Sequence, residues 1–163
     1  KIIFNKLSFY KNRNGKKFLS LIIVISLFTN FYWLYKGHPF QNTYFNFLAG
    51  SNPHENFQVD SWGLSNKFVL EKIINESNKN KISVSSISVT SLTHNFNILT
   101  SEQKKRIQFS DTLKNSDFII NNNIFIWGDH SRLKKLPDNF KVYYRLFIDD
   151  ILVTTIYKRT SSL

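Results

Sequence analysis

The sequence predicts a mixed α/β (α+β) protein: one N-terminal transmembrane helix, then a small outward-facing α/β domain with a mixed sheet ending in a β-hairpin. Three observations predict it. Residues 1–17 carry Lys1, Lys6, Lys11, Arg13, Lys16 and Lys17 and no acidic residue, and the apolar run Phe18 to Tyr35 follows them. Between Ser65 and Ser77, Phe68, Val69, Ile73 and Ile74 recur at helical spacing with Glu71, Lys72, Asn75 and Glu76 between them. Near the end, Val142 to Ile148 and Ile151 to Tyr157 are β-branched and aromatic runs on either side of the polar pair Asp149-Asp150.

The apolar run rises 1.5 Å per residue to about 27 Å, against a hydrocarbon core of about 30 Å. The Lys/Arg bias of its short flank places residues 1–17 in the cytoplasm and Lys36 to Leu163 outside. Phe31, Tyr32, Trp33 and Tyr35 mark the outer boundary, because amphipathic rings settle at headgroup level. A cleaved signal peptide competes with this reading, but the run ends in bulky aromatics where a peptidase needs small residues, and Ala49 is the sole alanine. A buried helix of a soluble core also competes, although the run has no polar face to meet water. The expected organisation is a basic cytoplasmic segment 1–17, a span 18–35, a membrane-proximal segment 36–64 and an extracytoplasmic α/β domain 65–159. Such a chain belongs in a plasma membrane, with its C-terminal domain on the outer side.

Residues 36–163 suffice for one modest domain. Of the net charge of +11, the leader before residue 18 contributes 6, so topology accounts for most of it and nucleic acid is not an expected partner. There is no cysteine, which excludes disulfides and Cys-ligated zinc. The sequence begins with Lys1 and contains no methionine, which suits a piece of a longer chain.

Within the domain, Ser65 serves as the helix N-cap or lies one residue inside. Asn78 to Asn80 reads as a turn, and Ile82, Val84, Ile87 and Val89 as a β-rich run. A short polar helix spans about Thr100 to Arg106. Ile107 to Phe109 and Phe118 to Ile120 are short strands separated by the polar stretch Asp111 to Asn115. The two C-terminal runs close the sheet as an antiparallel hairpin.

The most specific signal lies just past the span. His38-Pro39-Phe40-Gln41-Asn42-Thr43-Tyr44-Phe45-Asn46 resembles the segment HPYQYVYFN that follows the last transmembrane helix of many bacterial multi-pass glycosyltransferases of the GT-C type. These are relatives of the protein mannosyltransferase and lipid A aminoarabinose transferase families. Gly50 matches the glycine of that pattern, and Asp60-Ser61-Trp62-Gly63-Leu64-Ser65 resembles its D-Y-W-G-L-S block. Asp117-Phe118-Ile119-Ile120 is similar to its D-Y-V-I strand, and Ile156-Tyr157-Lys158-Arg159 to its chain ending.

The resemblance implies transfer of a sugar from a polyprenyl-phosphate carrier to an acceptor at the outer membrane face. In that superfamily the catalytic acidic residue sits in the first outward loop, which this sequence lacks, so no catalytic residue carries over. The implied chain is a non-catalytic C-terminal segment with no cofactor of its own. Its implied partners are the bilayer, the remaining transmembrane helices of a parent enzyme, the lipid-linked sugar and the acceptor. The motif residues singled out on this basis are His38, Pro39, Gln41, Tyr44, Asn46, Asp60, Trp62 and Gly63.

Physically, Pro39 breaks the helix and pushes His38 toward extended geometry. Tyr44, Phe45 and Phe47 lie along the membrane surface or pack under the domain. His38 is a headgroup or phosphate neighbour, or a hydrogen-bonded structural residue. Asp60 is a cap or turn acceptor, and Trp62 a large apolar anchor beside the Gly63 turn. His38, His54, His94 and His130 share no metal-binding spacing with acidic partners. Asp129-His130-Ser131 cannot form a triad from adjacent positions, because base and nucleophile must converge from separate elements.

A second reading makes the chain a free-standing single-span protein with an extracytoplasmic binding domain. The two readings differ at Ser20, Ser26, Thr29 and Asn30, which pack against neighbouring helices in the first and bond to their own backbone in the second.

Overall fold

The computed structural model describes residues 13–43, 49–88, 90–123 and 135–160. The chain divides into two compact units after Gln41.

In the first unit, helix α1 (Arg13–Lys36) is long and apolar enough to cross a membrane, and its most apolar stretch is not buried. An N-terminal signal sequence meets the same measure of length and composition. The helix starts before the apolar run, since nothing at Arg13 to Lys17 stops it, and Lys36 in the last turn complements the negative end of its dipole. Thr29 Oγ1 and Asn30 Nδ2 both donate to the Ser26 carbonyl, at 2.9 and 2.7 Å. Beyond Lys36 the Gly37 amide closes onto Trp33 O at 2.8 Å, and the His38-Pro39 peptide is cis.

The second unit contains a five-stranded mixed sheet with helices α2 (Pro53–Asn56), α3 (Ser65–Glu76), α4 (Thr93–Ile98) and α5 (Ser101–Arg106). Its strands are β1 (Ile82–Ser86), β2 (Ile107–Phe109), β3 (Phe118–Asn122), β4 (Phe140–Ile148) and β5 (Ile151–Arg159), in the order β2-β1-β3-β5-β4. The pairings β1 with β2 and β1 with β3 are parallel, while β3 with β5 and β4 with β5 are antiparallel. In register, Val84 lies beside Phe118, Ile120 beside Ile156, and Asn122 beside Thr154.

Helix α3 buries Val69, Leu70, Ile73 and Ile74 in one cluster with Ile82, Val84, Phe118, Ile120 and Ile156. Each such side chain contributes about 1.5–3 kcal/mol by leaving water, so this face dominates the stability of the unit. A smaller cluster joins Val59 to Ile151 and Val153. The β4–β5 turn places Asp149 and Asp150 at φ 44° and 64°, the left-handed pair that a two-residue primed hairpin requires.

The expected β-rich run through Ile87 stops earlier. Strand β1 ends at Ser86, because the Ser86 hydroxyl accepts the Ser88 amide at 3.1 Å and turns the backbone out of the ladder. Ser65 lies inside α3, one residue past the cap position at Leu64. The polar helix at 101–106 has a capping box, in which Thr100 Oγ1 accepts from the Gln103 amide and Gln103 Oε1 from the Thr100 amide. Tyr44, Asn46, Phe45, Phe47, Val89 and Asp129-His130-Ser131 lie outside the described residues.

Candidate functional site

The Asp60 to Ser65 block builds the N-terminus of α3. The Gly63 amide donates to Asp60 O at 3.0 Å, closing a turn, and the Asn66 amide donates to Gly63 O at 3.0 Å. Gly63 has φ +64°, and a Cβ there would meet Thr90 Cγ2 at 2.5 Å and Asn66 Nδ2 at 2.6 Å, so the position excludes a side chain. The Asp60 carboxylate then reaches forward: Oδ1 accepts the Leu64 amide at 2.7 Å and Oδ2 the Ser65 amide at 3.2 Å. Amides that a helix leaves unpaired at its start are thereby satisfied from four and five residues upstream.

Around this cap a polar cluster sits inside the domain. Asp60, Ser65, Asn66, Asn122 and Thr154 are each at most 1 % exposed. The Ser65 hydroxyl donates to Asp60 Oδ2, so the Thr154 hydroxyl donates to Ser65 Oγ. Asn122 Nδ2 lies 3.2 Å from Asp60 Oδ2, 3.0 Å from Ser65 Oγ and 2.8 Å from Asn66 Oδ1. Asn122 Oδ1 in turn accepts the Ser88 hydroxyl at 2.8 Å, and Ser86 and Ser88 are joined at 2.7 Å. Donors thus run from half-buried Ser86 inward to a carboxylate, the one group in the cluster that can only accept. Burial pushes the Asp60 carboxyl above its ordinary value, and the donors from Ser65, Leu64 and Asn122 pull against that rise.

A serine next to a carboxylate can be activated for attack only with a proton acceptor and a face open to substrate. Ser65 is sealed from solvent, so this cluster holds α3 onto β3 and β5. Thr90 Oγ1, beside Gly63, is buried with no hydrogen-bond partner among the described residues.

A second polar knot surrounds Asp117. Its Oδ1 accepts Lys79 Nζ at 2.6 Å and Oδ2 the Ser83 amide at 3.0 Å, while its carbonyl accepts the Arg159 amide at 2.9 Å. Burial raises the Asp117 carboxyl, but the Lys79 and Ser83 donors and the Lys79 and Arg159 charges outweigh it and leave it below the ordinary value. The Arg159 guanidinium donates to Ser116 O at 2.8 Å and to Lys114 O.

The singled-out residues therefore separate into two groups. His38, Pro39 and Gln41 lie in the first unit, where Gln41 Nε2 is 2.9 Å from His38 Nδ1. Asp60 and Gly63 meet in the second. Trp62 is 80 % exposed, so the apolar anchor expected beside Gly63 points away from the core. Asn66, Asn122 and Thr154 complete the cluster without having been singled out; strand parity could have found two of them, since Asn122 continues the inward-facing series Phe118, Ile120 and Thr154 shares the parity of Ile156, while Asn66 lies on α3. No group of three or more potential metal ligands occurs among the described residues. Comparison of the chain with protein families, with curated proteins and with solved structures found no match.

Proposed function

We propose that this chain is the C-terminal segment of an integral-membrane glycosyltransferase that takes its sugar from a polyprenyl-phosphate carrier, with α1 as its last span. The segment supplies the outward domain, and the catalytic loop lies elsewhere in the parent enzyme. The observation that carries the reading is that the resembling blocks have physically required roles. Asp60 caps α3, Gly63 makes the turn no side chain fits, Ser65 is buried on Asp60, and Asp117 ties β3 to β1 and β5. Such positions are expected to recur wherever this domain recurs. The basic flank of α1 supports a cytoplasmic N-terminus and an outward domain.

An immunoblot of source membranes with an antibody against residues 60–163 tests it. A band several times larger than 19.3 kDa is expected, and a band near that mass would overturn the segment reading. Labelling of a tag after Leu163 only from the cytoplasmic side would overturn the orientation.

One observation favours the single-span reading. The Thr29 hydroxyl and one N–H of Asn30 are satisfied on Ser26 O of their own helix and need no neighbouring helix for it. The blot separates the two, because a free-standing anchored binding domain runs at the calculated mass.

A further inference from the structure

We infer that the end of α1 holds a site for the phosphate group of a membrane lipid, with His38 Nε2–H as donor and Lys36 as cation. The inference rests on the reading that α1 spans a bilayer. It begins at Gln41, whose side-chain nitrogen lies 3.3 Å from Leu34 O and 2.9 Å from His38 Nδ1. Leu34 O can only accept, so the end of the Gln41 amide facing it must be the NH2. Both of its N–H groups are then used, one on Leu34 O and one on His38 Nδ1. Nδ1 must accept, which puts the proton of the neutral imidazole on Nε2.

That Nε2–H has no partner among the described residues, and His38 is exposed. His38 and Lys36 line one open concavity with Phe31, Leu34 and Tyr35. Phe31 and Tyr35 are 67 % and 86 % exposed, as rings at a headgroup boundary would be. The concavity offers an oriented N–H and an ammonium beside an apolar wall. A lipid phosphate matches both parts, because its oxygens take the charged donors while its glycerol and upper acyl carbons lie on the rings.

The helix C-terminus opposes this, since its free carbonyls carry about half a negative charge. Here that repulsion is reduced, because Gln41 occupies Leu34 O and the Gly37 amide occupies Trp33 O. The competing account keeps Lys36 in its contacts within the chain and near the helix dipole, and leaves Nε2–H in water. It predicts an anionic-lipid preference that depends on Lys36 alone and does not respond to replacement of His38.

The test uses the full chain reconstituted in phosphatidylcholine vesicles containing phosphatidic acid. Alkaline extraction is applied first, and bound lipid is then counted by native mass spectrometry. Wild type is expected to resist extraction and to retain phosphatidic acid about tenfold over phosphatidylcholine, the effect of one charge-assisted hydrogen bond. His38→Ala should remove most of that preference while the chain stays integral and keeps Lys36, and Gln41→Ala, which frees the ring to turn, should weaken it. Retention unchanged in His38→Ala overturns the site alone. Release of wild type by alkali overturns the span and the site with it. Displacement of the lipid by equimolar inorganic phosphate overturns the lipid as the source of the phosphate.

Discussion

Asn122 Nδ2 lies 3.2 Å from Asp60 Oδ2 across 62 positions of sequence, and this contact joins the end of β3 to the start of α3. The Asn122 amide also touches Ser65 and Asn66, so no other side chain spans as much of the cluster. Truncation by Asn122→Ala leaves buried acceptors unpaired and should cost about 2–4 kcal/mol. Asn122→Asp should cost more at neutral pH, because it sets a second carboxylate against Asp60, and should recover on acidification as one of the two takes a proton. Urea unfolding of the detergent-solubilised chain at two pH values checks both. An Asn122→Asp variant no worse at pH 7 than at pH 4.5 would show that the cluster does not hold Asp60 in place.

The pH dependence of Asp60 has a definite sign. Its carboxyl is raised in the folded domain, chiefly by burial, so the folded state holds the proton more tightly than the unfolded chain. Stability from this group is therefore fully present below the unfolded value and declines as pH rises through the folded one. Asp117 acts in the opposite sense: its carboxyl is lowered, so its contribution is lost as pH falls through the folded value. Comparing wild type with Asp60→Asn cancels Asp117. The wild type should lose ground to the variant as pH rises from the acid range toward neutrality, then stay level. If the wild type instead gains on the variant over that range, the donors from Ser65, Leu64 and Asn122 outweigh burial.

Gly63 and Gly50 separate two costs that are usually mixed. Both have positive φ, +64° and +81°, but a Cβ at Gly50 would meet nothing within 4 Å among the described residues, whereas one at Gly63 would meet Thr90 and Asn66. Gly50→Ala should therefore cost about 1 kcal/mol from backbone alone, and Gly63→Ala about 3 kcal/mol with the clash added. Thr90→Ser removes Cγ2 and should return part of the loss at Gly63 while doing nothing for Gly50→Ala. Equal costs for the two alanines in thermal unfolding would mean that the domain gives way around residue 63.

The hairpin and α3 are legible in the sequence because their signals are local. Asp149-Asp150 sits between two β-branched and aromatic runs, and Val69, Ile73 and Ile74 recur on one helical face. Helix α4 is not legible, since Thr93, Asn95 and Asn97 are poor helix formers. It forms where Leu92 enters the core and Phe96 packs edge-on against Phe109 at 5.0 Å. Asp60 reads from sequence as a cap acceptor, which it is, but its burial depends on Asn122 and Thr154, residues distant in the chain. Trp62 misleads for a related reason. With Asp60, Ser65 and Asn66 turned inward to make the cap, the turn carries the intervening indole outward.

Arg106 provides the last test, at the opposite end of α3. Its guanidinium donates to Ile74 O at 2.9 Å, Ser77 O at 2.6 Å and Lys79 O at 2.9 Å, gathering carbonyls from the helix end and the turn that leads into β1. A planar fork with five N–H groups can serve three acceptors at once, and its charge complements the negative end of the helix. A lysine keeps the charge but offers one compact ammonium on a flexible stem, which cannot hold all three carbonyls in the same geometry. Arg106→Lys should therefore cost about 1–2 kcal/mol, nearly as much as Arg106→Met, if the fork is what matters. If charge against the dipole were the main contribution, lysine would retain most of the stability and only methionine would lose it. Urea midpoints of the two variants at low and high salt separate these cases, because a dipole effect fades with ionic strength while the hydrogen-bonded fork persists.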